Sequence, residues 1–272
     1  MDFRKMASLL LLLLLGLCNA HPSNDHDADN ESSGDGSDSE DMTATILRMN
    51  NGSPDLLLEG DLVISRVRNA MKCHHDLNSC LWPKSANGNV EIPFLMSNKY
   101  DKTEKIKILK AIKDLESKTC IRFIPRKNQT AYISIEPRYG CSSSLGYIGD
   151  KQVVSLQRAG CVRNGIIQHE LLHALGFNHE QTRSDRDKHV KIIWANLDKY
   201  YWINFRKQDT NNLNTPYDYS SVMHYGRRAF GKFGAVSIIP IPDPSVTIGQ
   251  KEGVSNIDIL RINKLYNCCS YI

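Results

Sequence analysis

The sequence predicts an α+β fold, on three observations. The 272-residue chain is 41% hydrophobic, ample for a packed core. Short segments of β character at residues 90–95, 121–124 and 131–135 surround one long helical pattern. Two further helical patterns, at 165–175 and 257–266, are separated by a long stretch with little periodicity. The expectation is a regular half of mixed sheet and helices, then an irregular half closed by a last helix.

Taken in order, the chain opens with Arg4 and Lys5, an apolar run over residues 9–17, and the small-x-small end Cys18, Asn19, Ala20. That is the order of a signal peptide, residues 1–20, cleaved after Ala20. The run is shorter than the ~20 apolar residues that span a bilayer, and no later stretch approaches that length, so a soluble, exported product with no membrane partner is expected. Residues 21–41 are Asp, Ser, Asn, Gly and Glu with almost no apolar content, too little to fold alone. They read as solvated, within a propeptide ending at residue 68. Arg66, Val67 and Arg68 precede Asn69 and offer a trypsin-like cut after Arg68, the work of a separate activating protease.

Charge divides the chain at the same place. Residues 1–68 carry 5 Lys+Arg against 12 Asp+Glu, and the remainder carries 29 against 18. A basic product is drawn to acidic glycoprotein or matrix at moderate salt. Nucleic acid is excluded as a partner by the export signal and the lack of any nucleic-acid-binding motif.

Beyond residue 69, residues 90–95 read as a strand and Lys102–Lys118 as a helix with Ile106, Ile108, Leu109, Ile112 and Leu115 facing inward. Residues 121–124 and 131–135 alternate in the β fashion, with turns around Gly146, Gly149 and Gly160. The 257–266 helix has Ser255 as its cap. Without Cys18, seven cysteines remain in an oxidising compartment: Cys73, Cys80, Cys120, Cys141, Cys161, Cys268 and Cys269. Spacing does not fix their pairing.

The 165–175 helix carries the chemistry. Its run HELLHALGFNH places His169 and His173 four residues apart on one helix face, able to aim two ring nitrogens at one point. Gly176 permits the backbone turn that ends the helix and brings His179 to that point. Three neutral imidazoles hold one Zn²⁺ with a fourth position open to water, and Glu170 stands beside it as a general base. With 9 His, 10 Glu and 17 Gly in the chain, HExxHxxGxxH arises at random with a probability of roughly 10⁻⁵. His224 is not a fourth ligand by spacing and reads as structural or exposed.

The extended motif continues as HEQTRSDRD, and SVMHYG follows at residues 221–226. Together these resemble the astacin family, metzincin zinc endopeptidases of two lobes: an upper lobe of mixed sheet with the active-site helix, and an irregular lower lobe with a C-terminal helix. The resemblance implies His169, His173 and His179 as ligands, Glu170 as base, Met223 as the residue of the methionine turn, and Tyr225 as a displaceable ligand that later donates to the oxyanion. It implies disulfides Cys120 with Cys268 and Cys141 with Cys161. A further pair, Cys73 with Cys80, is similar to fish hatching enzymes. Cys269 departs from the pattern: an idle thiol is the favoured reading, beside pairing between chains or competition with Cys268 for Cys120, and it opens a short tail, residues 269–272, after a catalytic domain at 69–268.

The resemblance also implies that Leu58, Glu59, Gly60 and Asp61 match an inhibitory prosegment motif, with Leu58 in place of Phe, so that Asp61 takes the place of the catalytic water. It implies that Glu180 receives the new N-terminus of Asn69 after cleavage. From the residues alone Glu180 pairs with Arg183 or Arg186. The strand at 131–135 is expected at the cleft edge, where it adds an extended substrate as one more strand, and Asn128 before it is a possible glycosylation acceptor. Stretches such as NAMKC, WPKSANG, DKQVVSLQRAGC and DTNNLNTPYDYSSVMHYGR resemble fish hatching enzymes. They imply a monomeric enzyme, stored in secretory granules before release, whose protein substrate is egg-envelope glycoprotein. Two alternatives stand beside that substrate: matrix or general protein in another tissue, and a non-catalytic egg-coat binding role.

Overall fold

Residues 40–64, 80–268 and 271 are described in a computed structural model. Its regular half is a five-stranded sheet: β3 (Val90–Met96), β4 (Ile121–Pro125), β5 (Tyr132–Glu136), β6 (Cys141–Ser142) and β7 (Lys151–Leu156), in the order β4-β3-β5-β7-β6. All neighbours are parallel except β6, which runs antiparallel to β7. Parallel strands bury both faces, and Ile92, Ile121, Ile133, Ile135, Val154 and Leu156 are accordingly inaccessible. This overturns the expected cleft edge. The 131–135 segment lies at the centre of the sheet as β5, hydrogen-bonded to β3 and β7, and has no free backbone to offer. Alternation reveals a strand but not its place in the sheet; the edge beside the site is β6.

Two helices pack on this sheet. In α2 (Lys102–Lys118), Asp101 and Glu104 form a reciprocal capping box, and Ile108, Ala111, Ile112 and Leu115 make the buried face. Ile106 and Leu109, expected inside, are 57% and 43% exposed because they lie off that 3.6-residue stripe. The active-site helix α3 (Asn164–Ala174) is buried from Gly165 to Ala174. Its Ile166, Ile167, Leu171 and Leu172 enter the core, while Gln168, His169, Glu170 and His173 are buried polar groups.

One helix was not anticipated. Residues Met42–Asn50 form α1, capped by the Asp41 side chain, which accepts from the Ala44 N–H at 2.8 Å. Its Met42, Ile46 and Met49 enter the core of the sheet half. A hairpin follows, β1 (Leu57–Leu58) with β2 (Leu62–Val63), whose turn is Glu59, Gly60 and Asp61. Val63 N–H donates to Ser143 C=O at 2.9 Å and Ser143 N–H to Asp61 C=O at 3.1 Å, so this segment extends the sheet beyond β6.

The second half has a separate core of Val190, Ile192, Leu197, Phe205, Tyr217, Tyr225, Ala229, Ile238 and Ile248. Its regular structure is the short pair β8 (Val190–Ile192) and β9 (Ile238–Pro240), several 3₁₀ turns, and the last helix α4 (Asn256–Leu265), capped by Ser255. Disulfides Cys120–Cys268 and Cys141–Cys161 match the implied pairing. Cys80 is disulfide-bonded, while Cys73 and Cys269 lie outside the described residues. No helix among the described residues is long and apolar enough to cross a membrane.

Candidate active site

The end of α3 builds the site. Gly176 N–H donates to His173 C=O at 2.9 Å and Phe177 N–H to Leu172 C=O at 3.0 Å, the paired bonds of a Schellman motif. Gly176 sits at φ 101°, where a side chain would be strained, and this turn carries the chain round to His179. The three rings then face one point, with centroids 4.6, 4.6 and 5.2 Å apart. All three histidines are buried.

The turn of the β1–β2 hairpin enters between them. Asp61 Oδ2 lies 3.0 Å from His169 Nε2 and 3.3 Å from His179 Nε2, and Oδ1 lies 3.5 Å from His173 Nε2. Gly60, at φ 88°, lets the turn come this close. A Cβ there would meet Leu47 at 2.6 Å and Phe230 at 3.1 Å.

The donors fit a zinc ion. Four ligating atoms, one from each of Asp61, His169, His173 and His179, lie within 4.8 Å of one another. A tetrahedral ion with ligands at about 2.0–2.1 Å needs donor separations of about 3.3–3.4 Å, inside the spread of contacts here. Asp61 Oδ1 is buried with no hydrogen-bond partner, as are both oxygens of Glu170. Burial pulls His173 down to about 4, toward the neutral form that binds metal. In His179 burial is outweighed by the Asp61 and Glu59 carboxylates, which raise it to about 9. The negative charge that draws a proton there is what a divalent cation balances.

Each ring is fixed through its other nitrogen. His169 Nδ1 meets Val222 C=O and His173 Nδ1 meets Phe177 C=O, both at 2.8 Å. His179 Nδ1 meets Glu59 Oε2, also at 2.8 Å. Glu170 is buried beside the histidines, and burial, then the Asp61 charge, pushes its carboxyl well above the ordinary value.

Met223 is buried in a turn held from two sides. Its carbonyl accepts from Glu180 N–H at 2.9 Å. Asp258 of α4 accepts from Ser221 Oγ at 2.6 Å and Val222 N–H at 2.9 Å. Tyr225 packs 4.6 Å from the His179 ring, and its hydroxyl donates to Glu59 C=O. His224 is buried and structural, between Tyr217 Oη at 2.8 Å and Tyr225 C=O at 2.7 Å; burial pulls it to about 4.

Glu180 does not rely on its neighbours in sequence. Its oxygens meet Arg261 of α4 at 2.5 and 2.9 Å and Asp218 N–H at 2.7 Å, with Arg183 farther off at 3.4 Å. Arg186 turns instead to Asp187 and to the carbonyls of Gln181 and Phe205. Arg68 and Asn69 lie outside the described residues. Asn128 is exposed after β4.

Sequence reasoning gave Glu59 no role of its own within the 58–61 motif, and did not single out Asp258 or Arg261. Asp258 had a signal, since Ser255-x-x-Asp258 is a capping box. Glu59 and Arg261 had none, because their partners are 120 and 81 residues away.

Comparison with known proteins agrees with this geometry. Residues 78–267 match the astacin peptidase family. The low choriolytic enzyme of Oryzias latipes is 58% identical over 98% of this chain and all of its own length. High choriolytic enzyme 1 of the same fish is 52% identical over 98% of this chain and all of its own. The solved structure of that second protein, a hatching enzyme zinc-protease, covers 74% of this chain and all of its own at a TM-score of 0.69 and 55% identity. The chain is a member of the astacin family, a zinc metalloendopeptidase.

Proposed function

We propose that this chain is a secreted zymogen whose mature enzyme hydrolyses egg-envelope proteins at hatching. Identity to choriolytic enzymes along essentially the whole chain is the observation that carries this reading. Residues 1–20 serve as signal peptide, 21–68 as propeptide, 69–268 as catalytic domain and 269–272 as tail. The product acts as a monomer after release from secretory granules, once an activating protease has cut after Arg68. Glu180 then exchanges part of its pairing for the new α-amino group of Asn69.

Latency follows from the prosegment turn. Asp61 stands among the three ring nitrogens, where it would take the metal position that the reaction needs, and the hairpin occupies the sheet edge at Ser143. Removing both frees that edge for an extended peptide backbone. Bound zinc supplies Lewis acidity toward the scissile carbonyl and toward water. His169, His173 and His179 would hold it through Nε2, with the buried Glu170 carboxyl beside them. Glu170 takes the proton of the attacking water and returns it to the departing amine. Tyr225, released from the Glu59 carbonyl, turns its hydroxyl to the tetrahedral oxyanion.

The test is to incubate Arg68-cleaved protein with isolated egg envelope, with and without a zinc chelator, alongside an unrelated matrix protein. Chelator-sensitive softening of the envelope is expected, with the matrix protein cut more slowly. Preference for the matrix protein would remove the egg-envelope assignment.

A further inference from the structure

The three metal-site histidines are not held alike. The partners of His169 and His173 are backbone carbonyls of the catalytic domain, Val222 and Phe177. The partner of His179 is a prosegment side chain: Glu59 Oε2 accepts from Nδ1 at 2.8 Å, with both side chains fully enclosed. Glu59 is itself clamped. Gln208 Nε2 donates to its other oxygen at 2.9 Å, its own N–H donates to Asn204 Oδ1 at 2.9 Å, and its carbonyl accepts from Tyr225. It makes these contacts at φ 54°, a backbone region a glutamate enters only under constraint.

The geometry points to Glu59 as a second metal-site residue of the prosegment, a positioning residue through which the precursor grips zinc more tightly than the mature enzyme does. Two physical arguments support it. A carboxylate on the far nitrogen of a ligating histidine fixes its tautomer and raises its basicity, and losing such a partner costs about 10–100-fold in metal affinity. Charge is the second. One three-residue turn brings two buried carboxylates, Glu59 and Asp61, to a site for a divalent cation, and so balances its charge without solvent. Cleavage after Arg68 takes both away, while Val222 and Phe177 stay. The inference rests on the precursor reading above, and assigns the prosegment a role in loading and retaining metal besides blocking the cleft.

The test follows zinc transfer from the full-length precursor to a chromogenic chelator. Glu59→Gln keeps the shape but turns an amide N–H₂ toward His179 or Gln208, so its precursor should lose zinc about 10–100-fold faster than wild type. After cleavage the wild-type and Glu59→Gln proteins are the same polypeptide and should lose zinc at equal rates. Gln208→Met supplies a second variant should Glu59→Gln not fold. It should speed zinc loss from the precursor and leave that of the cleaved enzyme unchanged, a split that a merely structural role would not give. An uncleaved Glu59→Gln protein that keeps zinc as long as wild type overturns the inference, as does a Gln208→Met precursor matching wild type. An Asp61→Ala precursor measured in parallel separates the two ideas: if it alone loses zinc quickly, the Asp61 latch stands and the Glu59 role falls.

Discussion

Replacing Ile46 by Ala should loosen latency without touching the active enzyme. Ile46 is 2% exposed and packs with Met42 and Met49 into the core of the sheet half. Truncating such a side chain costs about 2–5 kcal/mol, and the higher helix propensity of Ala returns less than about 0.7 kcal/mol of that. A net loss of about 1.3–4.3 kcal/mol falls on the docking of residues 40–64. At about 1.4 kcal/mol per factor of ten, the undocked fraction rises about 10- to 1000-fold. The assay uses precursors carrying Arg66→Gln and Arg68→Gln, which cannot be cut there, and follows residual turnover of a fluorogenic peptide. Leak activity should rise by that factor. Enzyme released from a cleavable Ile46→Ala precursor lacks residue 46 and should match wild type. An unchanged leak, with thermal stability of the precursor lowered, would show that α1 and the Asp61 turn are not one unit and refute the reasoning.

Three further outcomes are expected. Glu170→Gln should retain one zinc per chain by elemental analysis but lose about 10²–10⁴-fold in kcat, the range for a general base; full turnover would remove the assigned base. Replacing Cys120 and Cys268 by Ser opens a loop with a sequence separation of 148, and denaturant unfolding should report about 5 kcal/mol lost on the chain-entropy estimate, whereas a loss under ~1 kcal/mol would contradict it. In Glu136, partial burial is outweighed by Lys151, Ser134 and Arg138, which hold its carboxyl down to about 2 from an ordinary 4.5. A depressed folded-state value means stabilisation present above 4.5 and lost as pH falls toward 2. The difference in unfolding free energy between wild type and Glu136→Gln, from denaturant titration, should therefore be present at pH 7 and shrink across that window, staying at ~1 kcal/mol at most for so exposed a cluster.

What could be read from the chain followed from local rules. Histidine spacing, Gly176 and the cap Ser255 act over a few residues, and the structure has them as expected. The α1 helix was missed although Met42, Ile46 and Met49 fall at i, i+4 and i+7 behind Asp41. Nine residues next to a polar, acidic stretch make a marginal helix, and only docking on the sheet stabilises it. The central place of Tyr132–Glu136 and the exposure of Ile106 were beyond periodicity, because each depends on which neighbour packs where. Glu59, Asp258 and Arg261 work across the fold, where pairing is decided by topology.

In the uncleaved chain, Asp61 should complete a three-histidine zinc site. Diffraction from crystals of the full-length precursor, recorded on both sides of the zinc absorption edge, tests it most directly. One anomalous peak is expected, about 2.0–2.2 Å from Nε2 of His169, His173 and His179 and from an Asp61 carboxylate oxygen. A water in place of that oxygen with Asp61 turned away, or no peak among the three rings, would contradict the account.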